Sequence, residues 1–245
     1  MPNFKNIPLF QNAARLLRKA CFGVVRATSA EFRAYTDIFY PAYAEKVDWK
    51  SGLQDSHFML YATVRATRPH TILEIGSARG KSACAMALAC RQNGRGMVYA
   101  IDPHQENAWT EVGVKGGSYE FLQQRLHAYD LTRWCQIIRA TSQEAVRAWS
   151  KPIDILFIDG DHSYEGVKHD FEAFRPWLTP EALVLFHDST WEYCRDNEYY
   201  RQDMGVPRYM AELQREGYHS ATIAPPPGLT LLSPQPGGFN FVPSE

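Results

Sequence analysis

From residue 71 onward the chain alternates short, unbroken apolar runs with stretches long enough for a helix, and few folds accept that pattern. The runs are TILEI (71–75), MVYAI (97–101), CQIIRA (135–140), IDILFI (153–158) and ALVLF (182–186). A run that is apolar throughout, rather than at every second residue, suits a strand covered on both faces, as strands of parallel sheets are. The intervening segments 80–93, 118–129, 142–149 and 163–177 have the length of crossover helices. The pattern therefore predicts a doubly wound α/β domain whose ligands sit at the carboxyl ends of its strands. After these elements comes helix-like VPRYMAELQREGY, then SATIA, the turn PPPG and LTLLS. Two runs that close together leave no room for a crossover, so they are expected to pair as an antiparallel hairpin.

Upstream, residues 28 to 70 read as helical, opened by Thr28 with Glu31 as a capping box, and SGLQDSHFMLYATVRATRP supplies an amphipathic helix that stops before Pro69. Earlier still, Lys5, Arg15, Arg18, Lys19 and Arg26 all precede the first acidic residue, Glu31, while Phe4, Ile7, Phe10, Ala14, Leu17 and Cys21 recur at roughly helical spacing. Such a basic amphipathic helix covers a neighbouring subunit or the domain's own surface, the favoured reading, or lies on an anionic membrane. An organelle-targeting start is a third alternative. The chain is accordingly divided into an N-terminal helical extension, 1–54, and a domain, 55–245.

Composition narrows the classes further. Lys and Arg number 26 against 27 Asp and Glu, a balance that gives no global attraction to nucleic acid. No apolar stretch approaches the roughly 20 residues that span a bilayer, and none resembles a secretory signal. The cysteines at 21, 84, 90, 135 and 194 form no CxxC pair and read as thiols of a reducing compartment. A cytoplasmic homo-oligomer is expected.

The stretch LEIGSARGKS (73–82) joins the first predicted strand to a helix. An ATP loop needs four residues between its glycines before Lys-Ser/Thr; counting back from Gly80 puts Ile75 at the required place. A dinucleotide loop needs a second glycine two after the first so that backbone can approach a pyrophosphate, and Ala78 stands there. Asp102, at the end of MVYAID, suits a ribose diol, which any adenosine ligand carries.

LEIGSARGKSA instead resembles the E-x-G-x-x-x-G signature of class I S-adenosylmethionine (SAM) dependent methyltransferases. FIDGDHSYEGVKHDFEAF (157–174) followed by LVLFHDS (183–189) is similar to their small-molecule O-methyltransferase branch, which acts on sugars, antibiotics and related hydroxyl acceptors. The resemblance runs from about residue 55 to about 234. It implies a Rossmann-like, mostly parallel seven-stranded sheet ending in an antiparallel hairpin, and SAM as cofactor. It assigns the cofactor to Glu74, Gly76, Ser77, Gly80, Asp102, Ser142 and Asp159, with Asp102 on the ribose and Ser142, in ATS (140–142), at the adenine. Ala140 departs from the family's glycine there.

Chemistry is expected at two later strand ends, where Asp159, Asp161 and His162 follow IDILFI and His187 and Asp188 follow ALVLF. Adjacent strands lie about 4.8 Å apart, so the two tips can share one site. Carboxylates gathered there are costly unless something positive joins them. The resemblance implies a divalent cation (Mg or Mn) on Asp159, His187 and Asp188; a histidine with two carboxylates suits Mn, Fe or Zn better than Mg. Asp161, His162 and His187 are the candidate bases: Asp161 with a metal, a histidine without one. Asp161 can equally serve as a helix cap. Glu165, Lys168, His169 and Asp170 read as a solvated helix face, and Asp154 lies at the wrong end of its strand for ligand. The segment 189–209 is either an acceptor lid bearing Trp191, Tyr193, Tyr199 and Tyr200, or a connection with its aromatics packed on the body. The glycine-containing stretch 110–120 is a second mobile-loop candidate.

Overall fold

The computed structural model describes residues 29–40, 47–49, 51–105, 117–196 and 200–238. The basic N-terminal segment, most of the stretch 110–120 and Tyr199 lie outside the described residues. Helices α1 (Ala30–Phe39) and α2 (Ser56–Thr67) precede the first strand. Then follow β1 (Thr71–Ile75), α3 (Lys81–Asn93), β2 (Met97–Ile101), α4 (Ser118–Ala128), β3 (Cys135–Ile138) and α5 (Ser142–Ala145). The chain continues through β4 (Ile153–Ile158), α6 (Tyr164–Phe174), β5 (Leu178–His187), α7 (Val206–Arg215), β6 (Ser220–Ala224) and β7 (Leu229–Leu232).

These form one 7-stranded sheet in the order β3-β2-β1-β4-β5-β7-β6. The strands β1 to β5 pair in parallel, and β7 runs antiparallel to both β5 and β6. The expected seven-stranded sheet and closing hairpin are both present. The order reverses at β1 and β4, and such a switch point opens a crevice beyond the strand ends.

Alternation along each strand feeds two cores. Ile72 of β1, Ile155 and Phe157 of β4 and Leu185 of β5 face α1 to α4, while Leu73, Leu156, Ile158, Val184 and Phe186 face α6 and α7. On the first side α3 is sealed between α2 and the sheet, and Ala83 to Cys90 have no exposed surface. Small residues such as Ala and Cys let that helix lie close to both. On the second side Phe171 packs its ring against Phe186, Tyr209 and Tyr218.

Several local expectations need correction. The Ser29 hydroxyl caps α1 by accepting from Phe32 N at 3.1 Å, one residue later than the expected Thr28 cap. Continuous helix from 28 to 70 is not observed: residues 52–55 form turns, and the second helix opens only at Ser56. The segment 142–149 is a short helix followed by a 3-10 turn over Val146–Ala148.

At the closed end of the sheet, Asp154 Oδ2 accepts from His70 N at 2.7 Å and Thr71 N at 3.0 Å, while Thr179 Oγ1 donates to Oδ1 at 3.3 Å. This side chain thereby ties the starts of β1 and β5 to β4. At the open end, Ser163 caps α6 by accepting from Gly166 N at 3.1 Å. Ser163→Ala is expected to cost about 1 kcal/mol, the usual value of such a cap, read as a lower urea midpoint with unchanged slope.

Candidate active site

The loop after β1 is held from both sides. Gly76 N donates to Ile101 O at 2.9 Å, and Asp159 N donates to Ile75 O at 2.9 Å. Gly76 has φ +90, and a Cβ there would lie 2.1 Å from Asp159 O. Gly80 has φ +81, and its Cβ would meet Leu122 Cδ1 at 2.1 Å. Packing of backbone on backbone therefore requires glycine at 76, and the left-handed φ favours it at 80, where the Leu122 side chain could shift, reasons additional to the approach of a ligand.

Ala78, at φ 43, occupies a left-handed conformation, and Asp102 helps to hold it there. Asp102 Oδ2 accepts from Ala78 N at 2.7 Å and Oδ1 from His104 N at 2.6 Å. One carboxylate thus joins the tips of β1 and β2. Ser77 is buried at 2% exposure, and its Oγ has no hydrogen-bond partner. Such an orphaned hydroxyl fits a polar ligand on this loop.

Glu74 is placed beneath the loop. It is fully buried and accepts a hydrogen bond from the Ser82 hydroxyl. Burial pushes its carboxyl up to about 8; the Ser82 bond opposes this and the nearby Asp159 and Asp102 add to it. Any effect of Glu74 on a ligand passes through the loop. Lys81 and Ser82 are simply the opening turn of α3.

Ser142 is the first residue of α5, whose N-terminus is fixed by a capping box between Thr141 and Glu144. The helix packs against α6, which carries Asp170. Asp170 is 3% exposed, which corrects the solvated-face reading of that residue. The reason is its place on the stripe Val167, Asp170, Phe171, Phe174 that α6 buries. Glu165 is exposed as expected, and Lys168 bonds Glu212 of α7 at 2.9 Å as well as approaching Glu172 at 3.8 Å.

The tips of β4 and β5 do converge. Asp159, His162 and Asp188 each bring one donor atom within 4.8 Å of the others. His162 Nδ1 is 3.3 Å from Asp188 Oδ2. Behind them His187 is 3% exposed, with Nδ1 3.2 Å from both Asp159 Oδ1 and Asp188 Oδ2. It is shared between the carboxylates rather than aligned on either, and Nε2 makes no hydrogen bond. Burial alone would lower the His187 pKa; the Asp188 and Asp159 carboxylates overcome it and hold the pKa well above the ordinary value. Burial would raise Asp188, but His187 and His162 bring it below the usual carboxylate range. The positive charge this cluster requires is thus supplied in part by an imidazolium. Asp188 also has φ 55, a strained setting of the kind found where a side chain is aimed at a site.

Asp161 stands apart. It is exposed, and its carboxylate accepts from Ser163 N at 2.9 Å, in front of α6. Of the aromatics in the segment 189–209, Trp191 and Tyr200 stack on each other with centroids 6.2 Å apart and an interplanar angle of 7°, and Tyr193 is 74% exposed. Gly205 N donates to His162 O at 2.7 Å, which brings the end of this segment back onto the site.

A switch-point crevice with a glycine turn, an acid at the second strand tip and polar residues at the fourth and fifth thus opens at one edge of a Rossmann-like sheet. Residues 73–189 match the family model described as "Methyltransferase domain". A curated relative, Uncharacterized protein y4gI of Sinorhizobium fredii, is 32% identical over 154 residues; the match covers 61% of this chain and 16% of that protein. The chain therefore spans only a small part of that relative. Three solved structures share the fold. The SAH-bound methyltransferase PaMTH1 of Podospora anserina has a TM-score of 0.59 at 14% identity, covering 95% of this chain and 97% of that one. The O-methyltransferase TomG of Streptomyces achromogenes, involved in tomaymycin synthesis and solved with SAM, has a TM-score of 0.58 at 17% identity, covering 83% and 88%. An O-methyltransferase of Bacillus cereus, solved with S-adenosylhomocysteine (SAH), has a TM-score of 0.56 at 16% identity, covering 87% and 96%.

Proposed function

We propose that this chain transfers the methyl group of SAM to a hydroxyl of a small acceptor, a saccharide or glycosylated metabolite. The observation that carries the reading is the His162–Asp188 pair at 3.3 Å, on the sheet edge that also bears the glycine loop and Asp102. When bound, SAM supplies an electrophilic methyl on a sulfonium. Asp102 orients the ribose and Ser142 the adenine. His162, the more open of the two histidines at 16% side-chain exposure against 3%, takes the acceptor's proton, and Asp188 stabilises the imidazolium that forms. His187 keeps Asp159 and Asp188 close without mutual repulsion.

A divalent cation also fits the donors Asp159, His162 and Asp188, in place of the His187 set the sequence pointed to; it would lower the pKa of an acceptor hydroxyl. The segment between β5 and α7, with Tyr193 exposed on it, supplies the acceptor surface. The proposed setting is a reducing, cytoplasmic one, supported by the free thiols Cys84, Cys90, Cys135 and Cys194. Homo-oligomeric contact is assigned to the N-terminal extension. Among the described residues, no helix is long and apolar enough to cross a membrane.

The test is a thermal-shift series with SAM, SAH, NAD and ATP, repeated with Mg, Mn and a chelator. At 100 times its Kd, SAH is expected to add about 2.7 kcal/mol, visible as a raised Tm. A shift with NAD alone would favour an oxidoreductase. SAH binding without methyl transfer to any hydroxylated acceptor would favour a non-catalytic binding protein.

A further inference from the structure

Asp188 keeps a conformation that its residue type does not favour. Its φ of 55 is left-handed, a region that costs free energy in a residue bearing a Cβ. β5 pairs with β7 as far as His187, opposite Leu229, and an extended Asp188 would continue that ladder. The left-handed turn takes the chain out of the ladder and leaves Oδ2 3.3 Å from His162 Nδ1 and 3.2 Å from His187 Nδ1. A turn of this kind persists only where its surroundings hold it.

The next two residues are fastened to the closing hairpin. Ser189 Oγ and Thr230 Oγ1 share a hydrogen bond of 2.7 Å, and the two residues are only 6% and 4% exposed. Thr190 N donates to Pro227 O at 2.9 Å. Gly228 gives the junction its closeness, since a Cβ there would lie 2.3 Å from Thr190 Oγ1 and 2.9 Å from Ser189 Oγ. Thr230 is braced in turn from β6, where Thr222 Oγ1 lies 2.8 Å from Thr230 Oγ1. A buried hydrogen bond is costly to break, because the groups it leaves unpaired have no water to turn to.

We propose that Ser189 and Thr230 are positioning residues: their hydrogen bond holds Asp188 in its left-handed setting and so keeps the carboxylate between His162 and His187. They act through Asp188. Without the bond the chain relaxes toward the extended ladder, and the carboxylate leaves the two rings. The use of the restraint rests on the proposed reading, in which Asp188 stabilises the His162 imidazolium; the restraint itself needs neither cofactor nor acceptor.

The experiment is nuclear magnetic resonance of the isotope-labelled wild type, Ser189→Ala, Thr230→Val and Thr222→Val. A left-handed residue brings its amide proton close to its own α proton, so Asp188 of the wild type is expected to show a strong cross-peak between the two. Ser189→Ala and Thr230→Val are each expected to lose it, with displaced ring resonances of His162 and His187 at the same pH. Thr222→Val leaves the Ser189–Thr230 bond in place and is expected to keep the cross-peak and the ring positions. Absence of the cross-peak from the wild type, its persistence or unmoved rings in Ser189→Ala or Thr230→Val, or its loss in Thr222→Val overturns the inference. Urea unfolding shows that each variant is folded under the conditions of measurement. Ser189→Ala, which removes one oxygen and little bulk, decides alone if Thr230→Val does not fold. A wild type that fails to bind SAH would overturn the cofactor reading and leave the restraint on Asp188 standing.

Discussion

Alanine in place of Gly76 is expected to cost the fold about 3–4 kcal/mol and to remove the thermal shift produced by SAH. Two penalties combine. The backbone sits at φ +90, where an L side chain is strained, and the added Cβ would lie 2.1 Å from Asp159 O. That neighbour is backbone, so relief requires the β1 loop and the β4 turn to separate, the two segments to which the proposed function assigns the cofactor and the base. Gly94 provides the control. It has φ +68 and no atom within 4 Å of a new Cβ, so Gly94→Ala should show only the conformational cost, about 1–2 kcal/mol. Urea unfolding of both variants decides the matter. Equal losses would mean that the contact with Asp159 is unimportant.

The second large effect concerns Glu74, whose folded pKa is raised from 4.5 to about 8. Between those values the folded chain holds a proton that the unfolded chain has released, so stability must fall as pH rises. The contribution is fully present below pH 4.5, declines through the window up to about 8 and is flat above it. It amounts to about 3–5 kcal/mol over that window. Glu74→Gln cannot ionise and keeps a hydrogen-bonding group for Ser82. Its unfolding free energy at pH 8 should therefore exceed that of the wild type relative to their values at pH 5. Parallel pH profiles for the two proteins would show that Glu74 is ionised in the folded state.

The sheet was legible because its strands are buried on both faces. The runs TILEI, MVYAI and IDILFI coincide with β1, β2 and β4 to the residue, since nothing but a covered parallel strand places so many apolar residues in succession between turns. The closing hairpin followed from the spacing of SATIA and LTLLS. Local capping was harder, because Thr28 and Ser29 both carry a hydroxyl able to cap the helix that follows. At the site, the sequence indicated which strand tips meet but not the depth of each side chain. His162 and His187 look alike as letters; one lies at the open face and the other behind two carboxylates. Asp170 was misread from its charge, although its helical spacing from Val167 and Phe174 placed it on the buried stripe.

Asp154 fastens the starts of three strands at the end of the sheet away from the chemistry. Its consequence is a division of labour along the strand axis. One end of the molecule is fastened independently of what is bound, and the other consists of turns whose side chains can be exchanged without unpicking the fastening. If the segment between Ser189 and Gly205 supplies the acceptor surface, as proposed above, substitutions there change acceptor preference while the scaffold remains constant, and redirecting this protein to a new acceptor should begin in that segment.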